Sequence, residues 1–398
     1  MTLEGRDIVC LGFGEWDAEL WTNQQHLMAR LGRRNRVLFL ESLGLRQPRL
    51  AGRDLRRMAR RVGRAAAGAR AVDGLHVLSP LVVPIHGRPR IRTLNARLLR
   101  AQVGGAAREL GLKRPLLWSY VPQAEWLVET LQPSAIVYHC VDDIAAQKGV
   151  QAAAFRGAEA RFAARADLVL ASAPALAERM RTLNEHVFYA PNVADTERFA
   201  TALEDGPADA ALAALPRPRI VFTGAVVATK LDVELLAALA RGRPDWSFAL
   251  VGPVGAGDPA TDVSALDGLR NVHLLGARPY ASLPAVLRAA DAALIPYAVN
   301  DLTRSVFPMK VYEYLAAGLP VVTTPLPALA GAAGVVVAAD APATVAALER
   351  ALAEDGPAAR RARWPARSKR TPPSAAARAR RRRAGTPGTP GSRRSPRH

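Results

Sequence analysis

Cysteine is almost missing from this chain. Only Cys10 and Cys140 occur in 398 residues, each inside an apolar, strand-like run and far from the other. Two such residues supply neither a disulfide framework nor zinc-ligand spacing, so a stapled secreted scaffold is excluded and a reducing cytoplasm is the expected home. Apolar runs of bilayer length are absent as well, and the first dozen residues, with Glu4, Arg6 and Asp7, lack the basic-then-apolar order of a signal peptide. No membrane span and no secretion by that route are expected. Acidic residues are in deficit, 35 against 54 basic, for a formal charge of +19. The excess is local: from Arg360 onward thirteen arginines and Lys369 stand without one Asp or Glu, leaving +5 for everything before. Nucleic acid is therefore not the expected partner of the folded part.

What is present is enough apolar material for two domains, 49% of the residues. The first half opens with a buried strand at Asp7 to Gly12, a glycine turn Gly12-Phe13-Gly14, a helix at Thr22 to Leu31 and a second strand at Arg36 to Glu41. This is the start of a parallel α/β unit, although the turn lacks the third glycine of a dinucleotide fingerprint. Further strands are predicted at Leu75 to Leu78, Leu116 to Tyr120, Ala135 to Cys140, Leu168 to Ala171 and His186 to Ala190. Residues 201–218, rich in Ala, Pro, Gly and acids, read as a linker. The pattern then restarts: strands at Arg219 to Thr223, Ser247 to Gly252, Val272 to Leu275, Ala292 to Pro296 and Leu319 to Thr323, with helices at Leu231 to Ala240, Tyr280 to Ala289 and Ala341 to Ala353. Domains are expected at 1–200 and 219–364. Residues 365–398, nearly all Arg, Ala, Pro, Ser, Gly and Thr, are expected to be a disordered basic tail. That tail reads either as an electrostatic arm or, better matched by its composition, as out-of-frame reading of a GC-rich coding region.

One run carries the chemistry: Phe307-Pro308-Met309-Lys310-Val311-Tyr312-Glu313-Tyr314-Leu315-Ala316-Ala317-Gly318-Leu319-Pro320-Val321-Val322. Proline suits a first helical turn and glycine a left-handed cap, so a short helix followed by a strand is predicted. Lys310 sits at a helix start, where a cation is unfavourable unless an anion docks beside it. Glu313 follows on the same face. A phosphate on Lys310 and the helix amides, with a carboxylate one turn away for a sugar diol, describes a nucleotide-sugar site; a solvated ion pair is the plain alternative.

The run resembles the C-terminal signature of GT-B glycosyltransferases, glycosyltransferase family 4 in particular. Glu313 and Ala316 to Val322 match the second half of its Glu-x7-Glu motif, while the position of the first glutamate holds Ser305. The resemblance implies two facing doubly wound Rossmann-like domains, an N-terminal one for the acceptor and a C-terminal one for the nucleotide sugar. It also points to Asp301, Thr303 and Arg304 as substitutes near the donor's sugar. Gly224 opens a loop in which Lys230 falls at the position of the family's phosphate-contacting lysine, or is simply a solvated lysine before a helix. Arg278 and Tyr280 stand where the family cradles the base, Tyr280 being equally suited to packing. In the N-terminal half, Trp21 to Met28 resembles the first helix of this branch, so Gly14, Gln25 and His26 are candidates for the acceptor cleft, with His26 also readable as a plain polar helix residue.

Asp142 and Asp143 follow a buried strand and face the expected cleft. An inverting enzyme needs a base there, a retaining one does not, and one of the pair is a natural helix N-cap. His139, in the same strand, reads as a core residue. Pro191-Asn192-Val193-Ala194-Asp195 resembles a family turn that marks the crossover. Arg53, Arg56, Arg57, Arg60, Arg61 and Arg64, with interleaved apolar residues, suggest peripheral contact with an anionic membrane surface, or an ordinary arginine-rich helix. The resemblance thus implies transfer of a sugar from a nucleoside diphosphate to a glycan or lipid-linked acceptor, without cofactor and with no metal site. A nucleotide-sugar epimerase and a non-catalytic nucleotide or sugar binder are the competing readings.

Overall fold

The computed structural model describes residues 3–18, 21–42, 63–64, 68–83, 89–147, 150–256 and 258–354. The expected tail at 365–398 and the arginines from Arg53 to Arg61 lie outside these residues. Arg64 lies within them, and it is held by the Asp17 carboxylate at 3.0 Å with Glu15 and Glu41 at 3.7 Å. This member of the basic stretch is thus engaged by an acidic cluster of its own chain rather than offered to a lipid surface.

Two sheets divide the chain. Strands β1 (Asp7–Leu11), β2 (Arg36–Leu40), β3 (Arg70–Val72), β4 (Leu75–Leu78), β5 (Leu116–Ser119), β6 (Ala135–Cys140), β7 (Leu168–Ala171) and β8 (Val187–Tyr189) form the first, in the order β3-β4-β2-β1-β5-β6-β7-β8. Strands β9 (Arg219–Thr223), β10 (Ser247–Val251), β11 (Val272–Leu274), β12 (Ala292–Ile295), β13 (Val321–Thr323) and β14 (Val335–Val337) form the second, in the order β11-β10-β9-β12-β13-β14. Among the described strands only β3 and β4 pair antiparallel. The central strands read as unbroken apolar runs because helices cover both faces: β10 is buried at all five positions, β12 at all four. The helix Val233–Gly242 shows the local logic. The Asp232 carboxylate accepts the Leu235 amide at 2.9 Å to cap it, and Leu236, Ala237, Leu239 and Ala240 go inward.

In each sheet the chain reverses direction of growth beside its first strand, between β1 and β5 and between β9 and β12. Such switch points leave a crevice at the carboxyl ends of the strands. The Gly12 to Gly14 turn occupies the first crevice and the Gly224 loop the second.

Residues 201–218 are not a free tether. Two short helical turns, Thr201–Leu203 and Ala210–Ala213, dock on the second sheet's helices, with Asp209 accepting from Arg278 at 2.8 Å and Arg288 donating to the Thr201 and Pro207 carbonyls. The crossover before them binds both halves. Asn192 accepts from Asn23 at 2.7 Å and donates to the Phe307 carbonyl at 2.9 Å, while Arg30 pairs with Asp195 at 2.9 Å. No helix among the described residues is long and apolar enough to cross a membrane.

Candidate functional site

The helix predicted from the signature run spans Lys310–Ala316 and ends as expected. Gly318 lies at φ +72°, its amide bonds the Leu315 carbonyl, and the Leu319 amide reaches back to Tyr314, a Schellman close that needs glycine. The Tyr314 hydroxyl accepts the Thr223 amide at 2.7 Å, which locks this helix to the end of β9. Its start differs from the expectation. The amides of Val311, Tyr312 and Glu313 are already bonded to the Pro308 and Met309 carbonyls in a tight turn. An incoming anion therefore meets the Lys310 side chain rather than a row of free helix amides.

That side chain runs under the β9 loop. A Cβ on Gly224 would stand 2.5 Å from Lys310 Cε and 2.7 Å from Nζ, and Gly224 itself sits at φ +127°, so glycine is required twice over. The ammonium lies 5.5 Å from the centre of the Phe222 ring. Burial works against the charge, but Tyr297, Tyr314 and Glu313 outweigh it and hold the Lys310 pKa above the ordinary lysine value. Glu313 is 7% exposed and its carboxylate has no hydrogen-bond partner among the described residues. Burial lifts its pKa, with Lys310 opposing. The solvated-pair alternative for these two residues does not fit this burial.

Lys230 ends a loop laced to its neighbours: Val226 donates to Pro253, Gly255 to Val226, Ala298 to Lys230 and the Asn300 amide side chain to Thr229. This holds Lys230 above the ends of β9, β10 and β12. It stands close enough to Asp142 of the first sheet for its charge to act there. Burial raises the Asp142 pKa, while Lys230 and the Asp143 amide pull it down. The two aspartates separate in role. Asp143 starts the Ile144–Ala146 turn and is paired with Arg156 at 2.6 Å, whereas among the described residues the Asp142 carboxylate accepts from the Asp143 amide at 3.0 Å and from Gln147 at 3.4 Å.

Other candidates are engaged elsewhere. Gln25 is buried, its carbonyl taking the Thr22 amide and its amide donating to the Glu15 carbonyl, so it caps the first helix instead of lining a cleft. Gly14 makes room for Gln24, whose Nε2 lies 2.7 Å from the site of a Cβ and whose Oε1 takes the Phe13 amide at 2.9 Å. The glycine turn is thereby filled from within. Arg278 is tied to Asp209 and to the Leu275 carbonyl at 2.7 Å, and Tyr280 packs on Phe199 with its hydroxyl 3.2 Å from His26 Nε2; these build the contact between domains and the linker rather than an open base pocket. The Thr303 hydroxyl takes the Asn300 amide and donates to the Ala298 carbonyl, leaving nothing for a sugar, while Arg304 is exposed. Asn23, Gln24 and Asn192 were not foreseen. The first two belong to a run of four polar residues, Asn23 to His26, all of which the helix buries.

His26 and His139 give the fold a pH dependence. Burial lowers His26 from 6.5 to about 4, with Asp195 opposing and Arg30 and Arg198 adding, and burial alone lowers His139 to about 3. The unfolded chain takes up both protons near pH 6.5 and the folded chain only near 4 and below. Stability is therefore on its plateau above about 6.5 and falls as pH drops toward 4. His139 stacks on Tyr120 at 4.9 Å and neither ring nitrogen has a partner. His139→Phe keeps the stack and removes the proton, so its Tm at pH 5 should exceed that of the native chain, with a smaller gap at pH 7.5.

Two doubly wound, mainly parallel sheets in one chain, each with its own switch point, are the architecture of the GT-B class. Residues 217–354 match the family model for glycosyl transferases group 1. Over 229 residues the chain is 29% identical to the putative teichuronic acid biosynthesis glycosyltransferase TuaH of Bacillus subtilis (strain 168), a match that covers 54% of this chain and 56% of that protein. The chain thus spans little more than half the length of this curated relative. Among solved structures, Anabaena Alr3699/HepE in complex with UDP and glucose aligns over 88% of this chain and 90% of its own with a TM-score of 0.57 at 18% identity. Sucrose-phosphate synthase from Thermosynechococcus elongatus gives 0.61 at 16% identity over 89% and 92%. The trehalose 6-phosphate synthase of Burkholderia multivorans gives 0.60 at 13% over 90% and 93%. At these identities the likeness is one of fold.

Proposed function

We propose that this chain transfers a sugar from a nucleoside diphosphate sugar to a hydroxyl of a glycan or lipid-linked glycan, without a metal ion. The observation that carries the proposal is the Lys310 ammonium folded against Gly224 at the switch point of the second sheet, with the buried Glu313 one turn on. Lys310 neutralises charge growing on the departing diphosphate and Lys230 adds a second cation from the opposite side, the role a divalent ion plays on other scaffolds. Glu313 accepts the two ribose hydroxyls in charge-assisted hydrogen bonds. In an inverting reaction Asp142, whose pKa burial raises and Lys230 lowers, takes the proton of the acceptor hydroxyl; a reaction that retains configuration needs no such base. The fold shared with a UDP-bound neighbour and the likeness to a putative teichuronic acid biosynthesis glycosyltransferase support a uridine nucleotide and an envelope glycan.

The test is a thermal-shift panel of UDP, GDP and ADP and their glucose forms, in EDTA. A ligand that binds only the folded state raises Tm in proportion to its affinity, by about 2.7 kcal/mol of stability at a hundred times Kd. A shift for one base, retained in EDTA and lost in Lys310→Met, is the expected result. No shift with any of them removes the proposal. Conversion of the free donor without acceptor would mark an epimerase, and binding without turnover on any acceptor a non-catalytic protein.

A further inference from the structure

Where the two domains meet, a row of buried polar groups crosses from one to the other. The Tyr120 hydroxyl, just past the end of β5, donates to Asn23 Oδ1 at 3.2 Å; Asn23 Nδ2 donates to Asn192 Oδ1 at 2.7 Å; Asn192 Nδ2 donates to the Phe307 carbonyl at 2.9 Å. All four residues are buried. The direction of the row is dictated from its far end. A carbonyl can only accept, so Asn192 must turn its NH2 toward Phe307 and its own oxygen toward Asn23, which leaves the Asn23 oxygen for the tyrosine proton. The row meets the donor-side turn at its root. The bonds of that turn begin one residue later, with the Val311 amide on Pro308 and the Tyr312 amide on Met309, so the Phe307 carbonyl stands outside them. The helix Lys310–Ala316 is thus held from two sides. Tyr314 ties it to Thr223 of β9, and Asn192 ties its lead-in to the crossover, whose own short helix Thr196–Ala200 packs alongside. Lys310 lies between the two ties, under a glycine whose Cβ would stand 2.5 Å from its Cε, so there is little slack in where it can sit.

We propose that Asn192 is a positioning residue for the donor site: by holding the Phe307 carbonyl it fixes where the turn into Lys310 begins, and so where the ammonium stands beneath Gly224. Through Asn23 it sets that placement relative to the first domain. The inference rests on the reading of Lys310 as the cation for the donor's diphosphate. A buried carbonyl deprived of its donor has to find another. The Phe307 peptide plane is the part that can turn to do so. Pro308, with φ fixed by its ring, absorbs little of that rotation and passes it on toward Lys310.

Asn192→Ala, the volume-keeping Asn192→Leu and Asn23→Ala, each in the full chain, test this with two readouts. The first needs no ligand: the rate of reductive methylation of the Lys310 amine, followed by mass spectrometry with the exposed Lys113 as reference. Both Asn192 variants should label Lys310 roughly tenfold faster with Lys113 unchanged, the mark of a local opening. Asn23→Ala should do less, because it leaves the bond to Phe307 in place. The second readout is donor kcat/KM in a double-mutant cycle with Lys310→Met. Asn192→Ala should cost roughly tenfold in the native background and less than about twofold in Lys310→Met, where no ammonium is left to misplace. Equal losses in both backgrounds, or native labelling of Lys310 in both Asn192 variants, would overturn the proposal and leave Asn192 as a fastener between domains. Should Asn192→Ala fail to fold, Asn192→Leu carries both readouts. If the native chain neither binds a nucleotide nor transfers a sugar, the functional reading fails, while the labelling rates still decide whether Asn192 sets Lys310.

Discussion

Lys310→Met should lower turnover by about 10²–10³-fold, the usual loss when one preorganised charge aimed at a leaving group is deleted. The substitution keeps length and apolar volume beneath Gly224, so lost packing contributes little. Glu313→Gln separates binding from chemistry. It removes a charge-assisted bond to the ribose, worth about 1.5–3 kcal/mol, so donor KM should rise roughly tenfold to a hundredfold with kcat nearly unchanged. The same change removes a charge that burial disfavours, so the nucleotide-free protein should melt no lower than the native chain. A site residue whose removal weakens binding without destabilising the fold is hard to explain as structural. Native kcat in Lys310→Met, or native donor KM in Glu313→Gln, would refute the assigned donor site.

Asp142→Asn should reduce kcat by about 10²–10⁴-fold, the range of general-base catalysis, while leaving the UDP thermal shift intact. The sign of the pH dependence follows from burial. Asp142 is held above the ordinary carboxylate value of 3.8, and the base works only when ionised, so native turnover should fall as pH drops through a midpoint above that value. In Asp142→Asn this limb should vanish from whatever activity is left. Activity within tenfold of native, with the acid limb unmoved, would remove Asp142 from the chemistry and favour a mechanism that keeps the anomeric configuration without a base.

The strands were easy to read because parallel strands covered on both faces are continuous apolar runs: Leu75–Leu78, Ala135–Cys140, Leu168–Ala171 and Arg219–Thr223 have the limits that pattern predicts. Helices were harder. Ala152–Arg165 and the 21-residue helix Pro89–Glu109 are built from alanine and arginine, whose helical faces differ little in polarity, so periodicity carries almost no signal. The Lys310 and Glu313 pair was visible as a motif because both residues lie within one turn of one helix. Asn23 and Asn192 were not. Their partners lie up to 169 positions away, and a polar side chain reads the same in sequence whether it meets water or a buried amide. Arg278 and Thr303 misled for the complementary reason: near a site in sequence, each is consumed by a neighbour that only the folded chain supplies.

The bonds at Asn192 bear on how this protein can be dissected. Because that amide clasps Asn23 on one side and the lead-in to Lys310 on the other, cutting the polypeptide near position 200 would keep the Asn23 bond in the first fragment but take from the second the side chain that holds the Phe307 carbonyl just ahead of the ammonium. Each fragment would then display raw polar ends where a seam had been. Nucleotide affinity measured on an isolated C-terminal fragment should accordingly understate that of the intact polypeptide.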